Sequence, residues 1–175
     1  MTPEEFNQNL LQKTEQFKGY VAGNWPKAMG GIAIRFINGN FRAQGWQGNT
    51  FQPWAPLKKP RVGGSILRLT GHLNDSIFFN VQPGRVVVRT YTPYAKAHNE
   101  GYNGPANVKA HTRTINTTKG VKTIAVKAFT KQMRLPKRQF MPMDVNDSPV
   151  LYEALKKETI RGLKRIFEEL KTNEL

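Results

Sequence analysis

Apolar residues recur at helical spacing at both ends of the chain and alternate with polar ones through its middle. Phe6, Leu10, Phe17 and Val21 fall near a 3.6-residue period, which predicts a first helix running to about Lys18 or beyond. Thr2 can cap it, Pro3 suits its first turn, and Glu5 completes a capping box. Gly19 and Gly23-Asn24 weaken it, and Pro26 opens a second helix whose apolar face is Trp25, Met29, Ile32, Phe36 and Phe41. The run Gly45-Trp-Gln-Gly48 ends that helix. The prolines, glycines and asparagines from Asn49 to Gly64 predict a loop. Within it Trp54 is expected to anchor on the core, with Lys58, Lys59 and Arg61 exposed. Ile66 to Ser76 reads as a short helix or turn. Two β runs follow, Ile77–Val81 and Arg85–Tyr91, with Ile77, Phe79 and Val81 on one face and Val86 and Val88 facing them. Pro83-Gly84 suits a type II turn better than the primed turns of tight hairpins, so a connection longer than two residues is expected. Gly101 to Gly104 is a break. Val108–Ile115 and Val121–Phe129 read as a second β pair turning at Asn116–Gly120. Ser148-Pro149 starts a last helix with Leu151, Leu155, Ile160, Leu163, Phe167 and Leu170 as its core face. On its outer face Lys164 pairs with Glu168 and Arg165 with Glu169, each worth a few tenths of a kcal/mol. Gly162, costly in a helix, marks close packing.

This order predicts an α+β fold. An antiparallel β-sheet is expected with N-terminal helices and a C-terminal amphipathic helix, plus a basic β-hairpin arm. The 175 residues fit one domain, 1–175, with 102–135 as an extended basic β arm or loop. No run approaches the roughly 18 apolar residues of a membrane span, and the acidic start Met1-Thr-Pro-Glu-Glu-Phe6 lacks the apolar centre of a signal peptide. Cysteine is absent, which excludes disulfides, Cys-ligated zinc and Cys catalysis, and fits synthesis inside a cell.

Charge changes the picture more. Net charge is +15, and between Gln16 and Met143 there are 20 Lys or Arg against two acids, Asp75 and Glu100. From Gly101 to Met143 there are nine Lys or Arg and no acid. Such a centre attracts nucleic acid or an acidic protein partner. Lys109, Arg113, Lys119, Lys122, Lys127, Lys131 and Arg134, continuing into Lys137 and Arg138, are the candidates for one basic surface. Only Phe129 and Phe140 interleave with them, which favours contact with a phosphate backbone over base stacking. No helix-turn-helix or RNA-recognition signature is present.

Catalysis finds no support. There is no Walker-type glycine loop and no Gly-x-Ser-x-Gly. A metal nuclease needs clustered carboxylates, and Asp144 and Asp147 lie near a helix start, where capping and dipole roles suffice. His72, His98, His111 and Glu100 are the available metal ligands, but no His pair has helical zinc spacing. The expectation is no enzyme, no metal and no cofactor, with His98 bonded to a backbone carbonyl. Thr70-Gly71 supplies a kink that glycine tolerates. Leu73 and Ile77 pack, Ser76 caps or turns, and Tyr94 serves a fold corner or a subunit contact.

Four separated elements carry a family resemblance. They are Trp54-Ala-Pro-Leu57, Leu69-Thr-Gly-His-Leu-Asn-Asp-Ser-Ile77, Thr92-Pro-Tyr-Ala-Lys-Ala-His-Asn-Glu-Gly101, and Pro136-Lys-Arg-Gln-Phe-Met-Pro142 before a terminal amphipathic helix. Their order resembles the virion morphogenesis or tail-completion proteins of tailed phages, the Mu-like group and its relatives. The motif residues Trp54, Thr70, Gly71, Leu73, Ser76, Tyr94, His98, Gly101 and Phe140 would be structural. The chain departs from that pattern in 102–135, which is longer and more basic. The resemblance implies a tail-completion, neck or head–tail joining protein, acting as a ring subunit, commonly six-fold. Its partners would be copies of itself, other tail or neck proteins, and packaged DNA passing through the channel, with no membrane. Its place would be the virion tail or neck, after synthesis in the bacterial host cytoplasm. The alternative is a free-standing nucleic-acid-binding protein without sequence specificity.

Overall fold

The computed structural model describes residues 2–59, 63, 65–82, 84–118 and 120–168. The first helix, α1 (Pro3–Gly19), starts on the expected capping box. Thr2 Oγ1 accepts the Glu5 N–H at 3.2 Å, and the Glu5 carboxylate accepts the Thr2 N–H at 2.7 Å. It does not break at the glycines. It runs through a π turn (Tyr20–Asn24) into α2 (Trp25–Ala43), right-handed throughout. Pro26 gives the reason: it has no N–H, and its ring would press on the carbonyl four residues back. A widened turn moves that carbonyl aside, and the Trp25 N–H bonds to the Tyr20 carbonyl instead.

Met29, Ile37 and Phe41 are the buried apolar positions of α2; Trp25, Ile32 and Phe36 are only half-buried. Gln44 closes the helix at φ 55°. Strand β1 (Gly45–Gln47), in the run expected to end that helix, pairs antiparallel with β2 (Phe51–Pro53), inside the stretch expected to be loop. Three-residue strands carry too little alternation to be read, and Pro53 argues against a strand except at an edge.

Strands β3 (Ile77–Gln82) and β4 (Arg85–Thr90) pair antiparallel in the register Phe79↔Val88 and Val81↔Val86. The shared face is the expected one. The connection is shorter than expected, because Gln82 pairs directly with Arg85. Gly84 takes φ 69°, as the third position of a type II turn requires. Arg85 Nε donates across the turn to Gln82 Oε1 at 2.6 Å. The Phe79 ring lies on Gly30 of α2, where any Cβ would overlap it.

Helices α3 (His72–Asp75) and α4 (Ala95–Glu100) flank this hairpin, and α4 ends at Gly101, φ 82°. Four strands follow: β5 (Tyr102–Val108), β6 (His111–Thr117), β7 (Gly120–Val126) and β8 (Phe129–Leu135). Strand β5 pairs with β8 and β6 with β7, all antiparallel. The break expected over 101–104 is confined to Gly101, and β6 stays paired past 116, to Thr117↔Gly120. The described strands make four two-stranded sheets, not one.

The last helix, α5 (Pro149–Glu168), starts where Ser148 Oγ accepts the Leu151 N–H at 3.2 Å. The same hydroxyl donates to the Gln47 carbonyl at 2.7 Å. Its buried face is Leu151, Gly162 and Ile166. Ile160 and Phe167, expected in the core, are 44% and 50% exposed. Two contacts set the face: Trp25 Nε1 donates to Thr159 Oγ1 at 2.9 Å, and Tyr20 lies against Gly162. Ile160 and Phe167 sit one position beyond that line. Pro83, Arg61, Lys119, Leu170 and the side chains of Glu168 and Glu169 lie outside the described residues.

The close packing expected at Gly162 is there: an added Cβ would overlap the Tyr20 hydroxyl. Gly162→Ala gains helix propensity of about 1 kcal/mol but overpacks this contact, costing about 1–3 kcal/mol. Net destabilisation is expected as a lower melting temperature. In a Tyr20→Ala background the same change should become neutral or stabilising.

Candidate assembly surfaces

Each of the four motif elements contributes to one core. Trp54, Leu73, Ile77, Ala95 and Phe140 pack with Ile37 and Phe41 of α2. The Phe41 ring meets Trp54 edge-on at 5.4 Å and Phe140 at 5.2 Å. Trp54 Nε1 donates to the Gln139 carbonyl at 2.8 Å, so the ring is an anchor rather than a stacking platform. Gly71 takes φ 80° before α3. Ser76, fully buried, donates to the Leu73 carbonyl at 2.7 Å and lies 2.6 Å from Thr90 Oγ1. Thr70 is exposed, its hydroxyl 3.4 Å from the His72 N–H.

Three polar residues play structural parts here that the sequence reading did not assign them. Asn99 Oδ1 accepts both the Phe140 and Met141 N–H at 2.9 Å, and its Nδ2 donates to the Met141 carbonyl at 3.2 Å. Asn40, fully buried, donates to the Phe140 carbonyl and accepts from Gln47. Arg138, expected on a basic surface, is only 6% exposed. Its Nε donates to the Ala55 carbonyl at 2.9 Å and its Nη2 to that of Pro56 at 3.1 Å. It ties the Trp54 motif to the Phe140 motif. A guanidinium satisfied by carbonyls looks, in sequence, like any other basic residue.

His98 departs from expectation. Its Nδ1 is buried with no hydrogen-bond partner, and its ring meets Tyr94 edge-on at 5.8 Å. The carbonyl bond in this region runs between backbones, from the Arg138 N–H to the His98 oxygen at 2.8 Å. Burial holds the His98 imidazole below the usual histidine range, and the Arg138 charge pushes the same way. Tyr94 precedes α4 and remains 45% exposed.

Among the described residues no three His, Asp or Glu side chains come together in a metal-holding group. His72 lies against Tyr91, and His111 bonds the Lys109 carbonyl. Asp147 Oδ2 accepts the N–H groups of Met143 and Asp144 and the Gln139 amide. The Met143 bond, foremost, holds its carboxyl below the usual range. Asp144 caps the 3-10 turn Val145–Asp147. These are structural uses of both acids.

The basic residues of 102–135 lie on the paired strands. Pairs Val108↔Phe129 and His111↔Val126 belong to one register, so β5–β6 and β7–β8 make one ribbon interrupted at 109–110 and 127–128. Sixteen residues a side at roughly 3.3 Å each give it about 50 Å of strand. Lys109, Arg113, Lys122, Lys127, Lys131 and Arg134 are all exposed. They do not share one face. Arg113 and Lys122 are diagonal neighbours, opposite Ile124 and Ile115. Lys131 pairs with Ala106 and Arg134 with Asn103, which strand alternation puts on opposite sides. Lys109 and Lys127 sit in the interruption. Alternation also gives β5–β8 a mostly apolar side (Tyr102, Ala106, Val108, Phe129, Met133 and Leu135, with Lys131 between Phe129 and Met133) and a polar one. On the polar side Thr130 donates to Asn107 and Gln132 to Asn103.

No described helix is long and apolar enough to cross a membrane. No curated protein and no solved structure matches the chain. The model of the phage virion morphogenesis family matches residues 23–159, well over half of the 175. That span takes in all four motif elements, the core they build and the ribbon between the third and fourth. The chain therefore belongs to the phage virion morphogenesis family, with a structural part in assembling the phage particle.

Proposed function

We propose that the chain is a ring subunit that completes the tail, or joins it to the head at the neck, and leaves a channel for DNA. The observation that carries this is the ribbon: exposed, acid-free and cationic on both sides, on a core built from the family motifs. Cations on both sides and in the interruption suit a long polyanion or a large acidic surface, not a small ligand. The ribbon acts as an arm that faces the DNA in the channel or docks an acidic neighbouring ring. Charge is the working property, since no carboxylate in 102–135 neutralises it.

The test is charge reversal at Lys122, Lys127 and Lys131, all exposed. The protein should fold and accumulate normally, while particles fail in head–tail joining or DNA passage and infectious titre falls. Normal infectious particles would overturn the proposal. A free nucleic-acid-binding protein would instead bind DNA tightly when purified, with a steep loss of affinity as salt rises. It would also be absent from purified particles.

A further inference from the structure

Helix α1 is exposed over nearly its whole length. Phe6, Leu10 and Phe17, four and seven residues apart, form one stripe, and each is 40–56% exposed. An isolated helix of this length is marginal in water. The ribbon has the matching deficiency. Among the described residues no other helix or strand forms a layer over this side of β5–β8: Phe129 is 46% and Tyr102 38% exposed, and Val108 and Met133 are half-buried. A two-stranded ribbon is marginal until a third strand or a helix covers it. Each chain thus carries both halves of a helix-on-sheet layer, and the two do not pack together within the subunit. Their charges are complementary. Residues 3–12 of α1 hold Glu4 and Glu5 and no base, whereas the ribbon holds no acid.

We infer that α1 of one copy lies on the apolar side of the β5–β8 ribbon of the next copy. The stripe Phe6–Leu10–Phe17 covers Val108, Phe129 and Met133, and Glu4 and Glu5 approach the ribbon's cations. Donor and acceptor surfaces differ, so the contact is head-to-tail, the kind that closes rings rather than two-fold dimers. This rests on the ring reading above and adds the interface.

The chain has no cysteine, so engineered thiols report cleanly. Full-length Leu10→Cys and Phe129→Cys single variants are co-expressed and mildly oxidised, both as purified protein and in assembled particles. Both sites are surface-exposed, so the fold should tolerate them. A disulfide-linked dimer is expected only when the two variants are mixed, and a ladder of larger species when both thiols are on one chain. Thr130→Cys, on the polar side of the ribbon, should not crosslink to Leu10→Cys. Native mass measurement completes the test. Rings that form without the Leu10–Phe129 crosslink, or that crosslink equally through position 130, overturn this interface and leave the ring reading standing. A chain that stays monomeric both in solution and in particles overturns the two together.

Discussion

Phe140→Ala is expected to cost about 3–5 kcal/mol, the range for emptying a buried aromatic site. The side chain is fully buried, with its ring tilted 46° against Phe41, in one core cluster with Leu73, Ile77 and Trp54. Its backbone is pinned on both sides, through the N–H by Asn99 and through the carbonyl by Asn40. The site therefore cannot collapse easily, which puts the cost toward the upper end. Urea unfolding should show a lower midpoint with an unchanged slope. Phe167→Ala is the internal comparison, since that side chain is half exposed on α5 and should cost no more than about 0.5 kcal/mol. Equal losses at the two positions would mean that the core is not where the structure places it. In a phage-producing cell, Phe140→Ala should lower the amount of soluble protein that accumulates, whereas charge reversal on the ribbon should leave that amount intact.

The contrast between Phe140 and Phe167 shows what this sequence reveals and what it hides. Local signals were legible. The Thr2–Glu5 capping box, the Phe79↔Val88 register face and the Ser148-Pro149 start all depend on neighbours in the chain; at Gly162 the sequence signalled close packing but not the distant partner, Tyr20. Choosing between two apolar stripes on α5 was not legible, because Thr159 and Gly162 set the packed face through contacts with Trp25 and Tyr20, more than 130 residues away. The π turn was hidden for a related reason. Gly19, Gly23 and Asn24 weaken a helix in isolation, but packing against α5 and the displaced carbonyl before Pro26 favour a widened turn over a break. The motif residues were recognised, yet their chemistry was not. Asn99 and Arg138 look like surface residues until the carbonyls they satisfy are seen. Ribbon charge was visible as a run of bases without acids. Its division onto two sides follows from a register that begins at Tyr102, not Val108.

Asn99→Leu should destabilise by about 3 kcal/mol or more. The substitution keeps most of the volume but removes the acceptor for the N–H groups of Phe140 and Met141 and the donor for the Met141 carbonyl. Three backbone groups beside the core then lack partners, and each such group costs about 1–3 kcal/mol when water cannot replace the bond. Partial hydration at half-buried Met141 keeps the sum below the upper limit. Asn99→Asp separates the two halves of the role. Its carboxylate still accepts both N–H groups but sets an oxygen against the Met141 carbonyl in place of the donor; with two of the three backbone groups still satisfied, the loss should be smaller than for leucine. Amide exchange reads the same arrangement directly: the Phe140 and Met141 amides should be protected in the parent and in Asn99→Asp, and exchange faster in Asn99→Leu. If leucine were tolerated without loss, Asn99 would not be what joins α4 to the Phe140 segment. The anchoring of the ribbon base, which lies between those two elements in the chain, would then rest on Arg138 and the Gly101 turn alone.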